Sequence, residues 1–169
     1  MREASIQTAL RESVVEVLEK MFFISAFEEP LQEPPSLRPC LAAQLEFTGD
    51  PPGSLTLETS CQAARSIAAD FLGEAPEALS VRQVEEVVCE LANMICGAVL
   101  SRVESRVVFR LGSPRIVRDD AARAESAGTG AESAPAGAVM RLAEIHDGTL
   151  LVTVHTEGEA CAVSEKYAF

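Results

Sequence analysis

The stretch SVRQVEEVVCELANMICGAVLSRVE, residues 80–104, decides the fold. Val84, Val87, Val88, Leu91, Ile95, Val99 and Val103 recur at helical spacing, which predicts one long helix over 81–104 with a single apolar side. Ser80 followed by Gln83 is a capping-box pattern, so the helix has a defined start. At about 100° per residue, Glu86, Glu90, Asn93 and Gly97 fall within about 60° of one another, on the side opposite the apolar stripe. Two acids, an amide and a glycine therefore line one outward ridge.

Working back from this helix, EAPEAL at 74–79 is a connector. A helix over 62–72 precedes it, with Ala64, Ile67, Ala68 and Phe71 as the buried stripe and Gly73 placed to stop it. Before that, residues 40–48 and 54–59 each alternate apolar and polar side chains, and GDPPG at 49–53 joins them. That pattern is a β-hairpin. The proline-rich EEPLQEPPSLRP at 28–39 is a loop. Phe22, Phe23, Ile24 and Phe27 favour extended structure and suggest a short strand over 22–28. Ile6, Leu10, Val14, Val17, Leu18 and Met21 predict a first helix over 4–21.

Working forward, 107–117 reads as a strand interrupted by Gly112 and Pro114. Residues 118–137, rich in Ala, Ser, Gly and charge, read as a mobile surface loop. Residues 139–145 and 149–156 are two further strands joined by the tight-turn sequence HDG. The tail EACAVSEKYAF leaves open whether it adds a strand or a strap. Short turns between neighbouring strands make the sheet largely antiparallel. With helices packed on it, the expected class is α+β, in a single domain spanning 1–169.

Composition narrows the function. Twenty-six acids against 14 bases give a net charge of −12, which disfavours nucleic acid and anionic membranes. No apolar run approaches the ~20 residues needed to span a bilayer. The start of the chain lacks a signal-peptide pattern, so a cytoplasmic protein is expected. The five cysteines, at 40, 61, 89, 96 and 161, show no CxxC spacing, so reduced thiols are expected rather than a disulfide framework or a metal site. His146 and His155 fall on the last hairpin and carry no metal or catalytic expectation. There is no GxGxxG, no P-loop and no GxSxG elbow.

By default, polar residues on the outer side of a helix are simply solvated. Two features of the ridge argue for more. Asn is a mediocre helix residue, and Gly97 costs roughly 1 kcal/mol relative to Ala in a helix interior. A glycine there adds nothing to the core, but it allows another backbone to approach. Its alternative use is a tight crossing against the N-terminal helix.

ELANMICG at 90–97 resembles the ELANMIxG segment of the CheX-like chemotaxis phosphatases, the CheC/CheX/FliY family. MFFISAFEEP, the 45–57 hairpin, AADFLGEAPEALS before the helix and RLGSPRIV after it are similar too. The resemblance implies an antiparallel α/β fold, a homodimer, and hydrolysis of the aspartyl phosphate of a CheY-like response regulator. Carried over by residue, Glu90 matches the family's acid and Asn93 its amide. Glu90 is expected to contact the regulator's active-site lysine and Asn93 to position the attacking water. Glu86 and Gly97 are expected to contact the partner. No cofactor of its own is implied, because the regulator supplies Mg²⁺.

Two positions depart from the pattern. Glu86 stands where many relatives have Asp or Ser, and Ala98 follows the glycine where many have Asn. Two other readings compete with catalysis: a non-catalytic receiver-binding or scaffold module using the same ridge, and a structural dimerisation domain.

Overall fold

The computed structural model describes residues 3–25, 27–28, 40–103, 108–117, 138–145 and 147–157. Three helices, α1 (Glu3–Met21), α2 (Cys61–Leu72) and α3 (Val81–Arg102), pack on one antiparallel sheet. Its strands are β1 (Phe27–Glu28), β2 (Leu41–Thr48), β3 (Gly53–Thr59), β4 (Arg110–Leu111), β5 (Arg115–Val117), β6 (Ala138–Ile145) and β7 (Gly148–Thr156). The order across the sheet is β1-β6-β7-β3-β2, and β4 and β5 both pair with the free side of β2. The expected α+β class holds. The loop expected at 118–137, the 159–169 tail, His146, Cys161 and nearly all of the proline-rich stretch lie outside the described residues.

Both hairpins form where alternation placed them. Leu41 pairs with Thr59 and Phe47 with Gly53 in β2–β3, and Ile145 pairs with Gly148 in β6–β7. The hairpins join through β3 and β7, with Leu57 opposite Val152. The interruption at Gly112 and Pro114 divides the 107–117 segment into β4 and β5, and the Gly112 N–H still donates to the Glu46 carbonyl at 2.7 Å.

The inward side of the sheet supplies Ala43, Leu45, Phe47, Leu55, Leu57, Leu150, Val152 and Val154. Against it lie Leu10, Val14, Val17 and Leu18 of α1, Ile67 and Ala68 of α2, and the full stripe of α3. Burying these side chains is what holds three amphipathic helices on the sheet, at about 25 cal/mol per Å² of apolar surface removed from water. At the last turn of α3, Arg102 bonds Glu16 of α1 and lies 3.8 Å from Glu12. Gly73, at φ 67°, closes α2 in the left-handed conformation, as its place in the sequence predicts.

Three expectations need correction. The strand expected over 22–28 is confined to Phe27–Glu28. Instead, α1 ends in a hydrogen-bonded cap, with the Ile24 N–H donating to the Leu18 carbonyl at 2.9 Å and Phe23 at φ 56°. Met21 and Phe71, placed on buried stripes by spacing, are 49% and 40% exposed. Both lie in the last turn of their helices, and Phe71 stacks on the buried Phe22 at 4.8 Å between ring centroids.

The third correction concerns the thiols. Cys40 and Cys61 are joined by a disulfide, with 5.1 Å between Cα atoms. They are 21 residues apart in the chain, which hides their proximity. The β2–β3 hairpin returns the chain to its own start, so the residues flanking the Leu41–Thr59 pair meet.

Phe23 yields a stability prediction. It holds a left-handed conformation, which is costly for an aromatic residue, and 86% of its surface is exposed, so it adds little to the core. Phe23→Gly is expected to raise stability by about 1 kcal/mol, read as a higher denaturant midpoint at unchanged slope. A lower midpoint would show that Phe23 makes a stabilising contact.

Candidate functional site

The ridge of α3 is positioned by the opposite side of the same helix. Val84, Val87, Val88, Leu91, Ala92, Ile95, Cys96, Val99 and Leu100 are buried, which fixes the rotation of the helix about its axis. The capping box predicted from Ser80 and Gln83 is present: the Ser80 hydroxyl accepts from the Gln83 N–H, and the Gln83 side chain accepts from the Ser80 N–H. Register and rotation are thus both set, and the remaining face points to solvent.

On that face Glu86 and Glu90 are exposed, while Asn93 and Gly97 are half-buried. Their mutual spacing puts neighbouring ridge residues about 5–6 Å apart at Cβ. Among the described residues, no hydrogen bond or ion pair occupies the Glu90 carboxylate or the Asn93 carboxamide. Glu86 differs. Its Oε1 accepts from Arg82 Nε at 2.8 Å, one helical turn earlier, and this pairing raises the Arg82 pKa above its ordinary value. Both partners are well exposed, so the pair exchanges readily with water or a new partner.

The surroundings of Gly97 answer the question of a tight helix crossing. Where a Cβ would stand, the nearest side-chain atom is Leu111 Cδ2 of β4, 4.0 Å away. No part of α1 presses on this glycine, so the crossing is not what it serves. Leu111, 37% exposed, flanks the ridge beside Gly97. Sequence reasoning did not assign it there, because its two-residue strand carries no periodic signal of its own. The Arg82–Glu86 contact was also missed, although its i,i+4 spacing was available. Ala98 is half-buried and packs against the core, as its phase on the helix indicates.

Among the described residues two free thiols remain, Cys89 half-buried and Cys96 buried. Burial pushes Cys96 up to about 12, and burial followed by the neighbouring Glu85 carboxylate raises Cys89. Among the described residues no group of three or more His, Cys, Asp or Glu side chains is placed to hold a metal ion. No described helix is long and apolar enough to cross a membrane.

A single antiparallel sheet under three helices, with the longest helix turning a polar ridge outward, defines a class of small α+β domains. This chain belongs to the CheX family: the profile described as "Chemotaxis phosphatase CheX" matches residues 41–133, more than half of its length. The match spans the hairpin, α2 and the whole of α3. Solved structures agree on the fold. The chain is similar to the chemotaxis protein CheX from Vibrio vulnificus, with a TM-score of 0.69 at 18% identity over 93% of this chain and 99% of that one. A CheC-like superfamily protein from Shewanella sp. PV-4 gives 0.69 at 19% identity over 93% and 100%. The CheX–CheY–BeF3–Mg²⁺ complex from Borrelia burgdorferi gives 0.67 at 15% identity over 89% and 97%. No curated protein matches the chain significantly.

Proposed function

We propose that this protein hydrolyses the aspartyl phosphate of a CheY-like response regulator by inserting the α3 ridge into the regulator's active site. The observation that carries this reading is the placement of Glu90 and Asn93. They stand three residues apart on the outward side of a rigidly seated helix, inside the segment the family profile matches. The Borrelia burgdorferi relative, described in complex with CheY, BeF3 and Mg²⁺, supports both the partner class and the origin of the metal. In this reading Mg²⁺ belongs to the regulator, and this chain has no cofactor of its own. The site of action is the cytoplasm.

The chemistry asks little of the phosphatase. An aspartyl phosphate is an acyl phosphate, a mixed anhydride whose carboxylate is a good leaving group, and the receiver already holds Mg²⁺ and a lysine around it. What is missing is an attacking water held in line. The Asn93 carbonyl accepts a hydrogen bond from that water while its amide NH₂ donates towards the phosphoryl group. The Glu90 carboxylate meets the receiver's lysine in a charge-assisted contact that fixes the docking register. Glu86 contacts the partner after exchanging its Arg82 partner, and Gly97 allows the receiver's backbone to come close.

The test is to incubate the protein with a phosphorylated receiver domain and follow phosphate release. Acceleration that depends on Asn93 supports the reading. Stable binding of the phosphorylated receiver with no change in its lifetime supports instead a non-catalytic receiver-binding module, the reading that the prior engagement of Glu86 by Arg82 favours. A homodimer belongs to the same proposal, and a light-scattering mass in solution checks it.

Gly97 gives a separable prediction. A Cβ there meets only Leu111 Cδ2, in ordinary contact at 4.0 Å, so Gly97→Ala keeps the fold and raises stability by about 1 kcal/mol. Gly97→Leu also folds, but it places a branched side chain on the docking surface and weakens receiver binding. Undiminished binding by Gly97→Leu would remove Gly97 from the interface.

A further inference from the structure

Cys40 and Cys61 are both exposed at the surface, where β2 begins and α2 begins. They border a pocket of about 380 Å³, walled also by Leu41, Arg65, Val84 and Ile116. We propose that the Cys40–Cys61 bond is a reversible redox site, opened by a dithiol reductant and closed again by a disulfide oxidant. This inference does not rest on the proposed dephosphorylation.

Three observations carry it. The first is accessibility. A disulfide within a core is shielded from exchange, whereas an exposed one meets an attacking thiolate directly and is the labile kind. The contrast lies within the same chain, where Cys96 is buried and Cys89 half-buried.

The second is that the backbone places the two residues independently of the bond. The Cys40 N–H donates to the Thr59 carbonyl at 3.0 Å, the β2–β3 ladder runs from Leu41–Thr59 to Phe47–Gly53, and the Ser60 hydroxyl caps α2. Opening the bond therefore leaves the scaffold in place, and closing it needs no search by the chain.

The third is a chemical asymmetry. Cys61 is the first residue of the 12-residue helix α2, whose first turn holds no acid. A thiolate released at Cys61 stands at the start of the helix, where the helix dipole favours negative charge. Arg65, one turn on, walls the same pocket. Glu58 and Glu85 wall it too and oppose this effect. Cys40 precedes β2 and belongs to no helix.

The steps follow from that asymmetry. A thiolate of the dithiol attacks Cys40 Sγ; the bond between the two protein sulfurs breaks, and Cys61 leaves as the thiolate. The reductant's second thiolate then attacks its own sulfur in the mixed disulfide and releases Cys40. Two electrons pass to the protein, two protons from solvent complete the thiols, and the reductant ends as its own disulfide. Val81, Val84 and Glu85 of α3 border the pocket, so the bond lies next to the helix that bears the ridge.

The test uses the full chain in native buffer, with differential alkylation and peptide mapping before and after a small dithiol. Before reduction, Cys40 and Cys61 are expected in one linked peptide. After it, both are expected to be alkylated while Cys96 stays protected and the far-UV circular dichroism is unchanged. An added disulfide oxidant is expected to restore the link. Alkylation of both cysteines in the air-oxidised protein would overturn the proposal. So would a bond that opens only with denaturant, or loss of the fold on reduction. Single variants test the asymmetry: the Cys61 thiol in Cys40→Ser is expected to alkylate several-fold faster at neutral pH than the Cys40 thiol in Cys61→Ser. Equal or reversed rates would overturn the assigned leaving group.

Discussion

Asn93→Ala is expected to lower the rate of receiver dephosphorylation by on the order of 100-fold while leaving the fold and receiver binding intact. The size follows from the role: a water no longer held in line loses the positioning that supplies most of the acceleration, and misplacement by about 1 Å already costs about 100-fold. Folding is spared because the side chain stands on the solvent side of α3 and holds no internal hydrogen bond among the described residues. Binding is spared because the docking contact is assigned to the neighbouring carboxylate. Glu90→Ala is expected to do the converse, weakening the complex by roughly 2 kcal/mol, the scale of a hydrogen bond to a charged group. Phosphate release at saturating and at limiting phosphatase separates the two. If Asn93→Ala accelerates as well as the parent, the water-positioning role belongs to another residue.

The second large effect concerns the same helix from its other side. Leu91 follows Glu90 directly, yet it is fully buried in the centre of the core. Leu91→Ala is expected to destabilise the protein by about 3–4 kcal/mol, combining lost transfer free energy with the cavity left behind. That is a large share of the 5–15 kcal/mol typical of a domain. Leu91→Met, which conserves volume, is expected to cost under about 1.5 kcal/mol. Denaturant midpoints at constant slope check both. A loss below about 1 kcal/mol for Leu91→Ala would mean that the neighbours collapse into the vacated space.

Much of the fold was legible because its signals are local. The helically spaced apolar run from Val84 to Val99, the Ser80–Gln83 box, the alternation in 40–59 and the glycine at 73 each encode their element within a few residues. The outward direction of Glu86, Glu90, Asn93 and Gly97 followed from the same periodicity. What was not legible depends on partners distant in the chain. Nothing in Leu57 or Val152 announces that the two hairpins join there. The Cys40–Cys61 bond needs the hairpin to be closed before the two thiols are neighbours. Phe22 and Phe23 favour extended structure by residue type, but the Leu18 carbonyl captures the Ile24 N–H and turns the chain instead. Phe71 has the right phase for burial but stands in the last turn of α2, where it is 40% exposed.

The seating of α3 has an evolutionary consequence. One rod carries both the centre of the hydrophobic interior and the polar ridge, and the two are segregated by side rather than by length. If the ridge docks on a receiver as proposed, substitutions at Arg82 or Glu86 retune which receiver is accepted without touching an interior contact. With that role for the ridge, lineages of such domains are free to diverge in partner choice while their cores stay under unrelated selection.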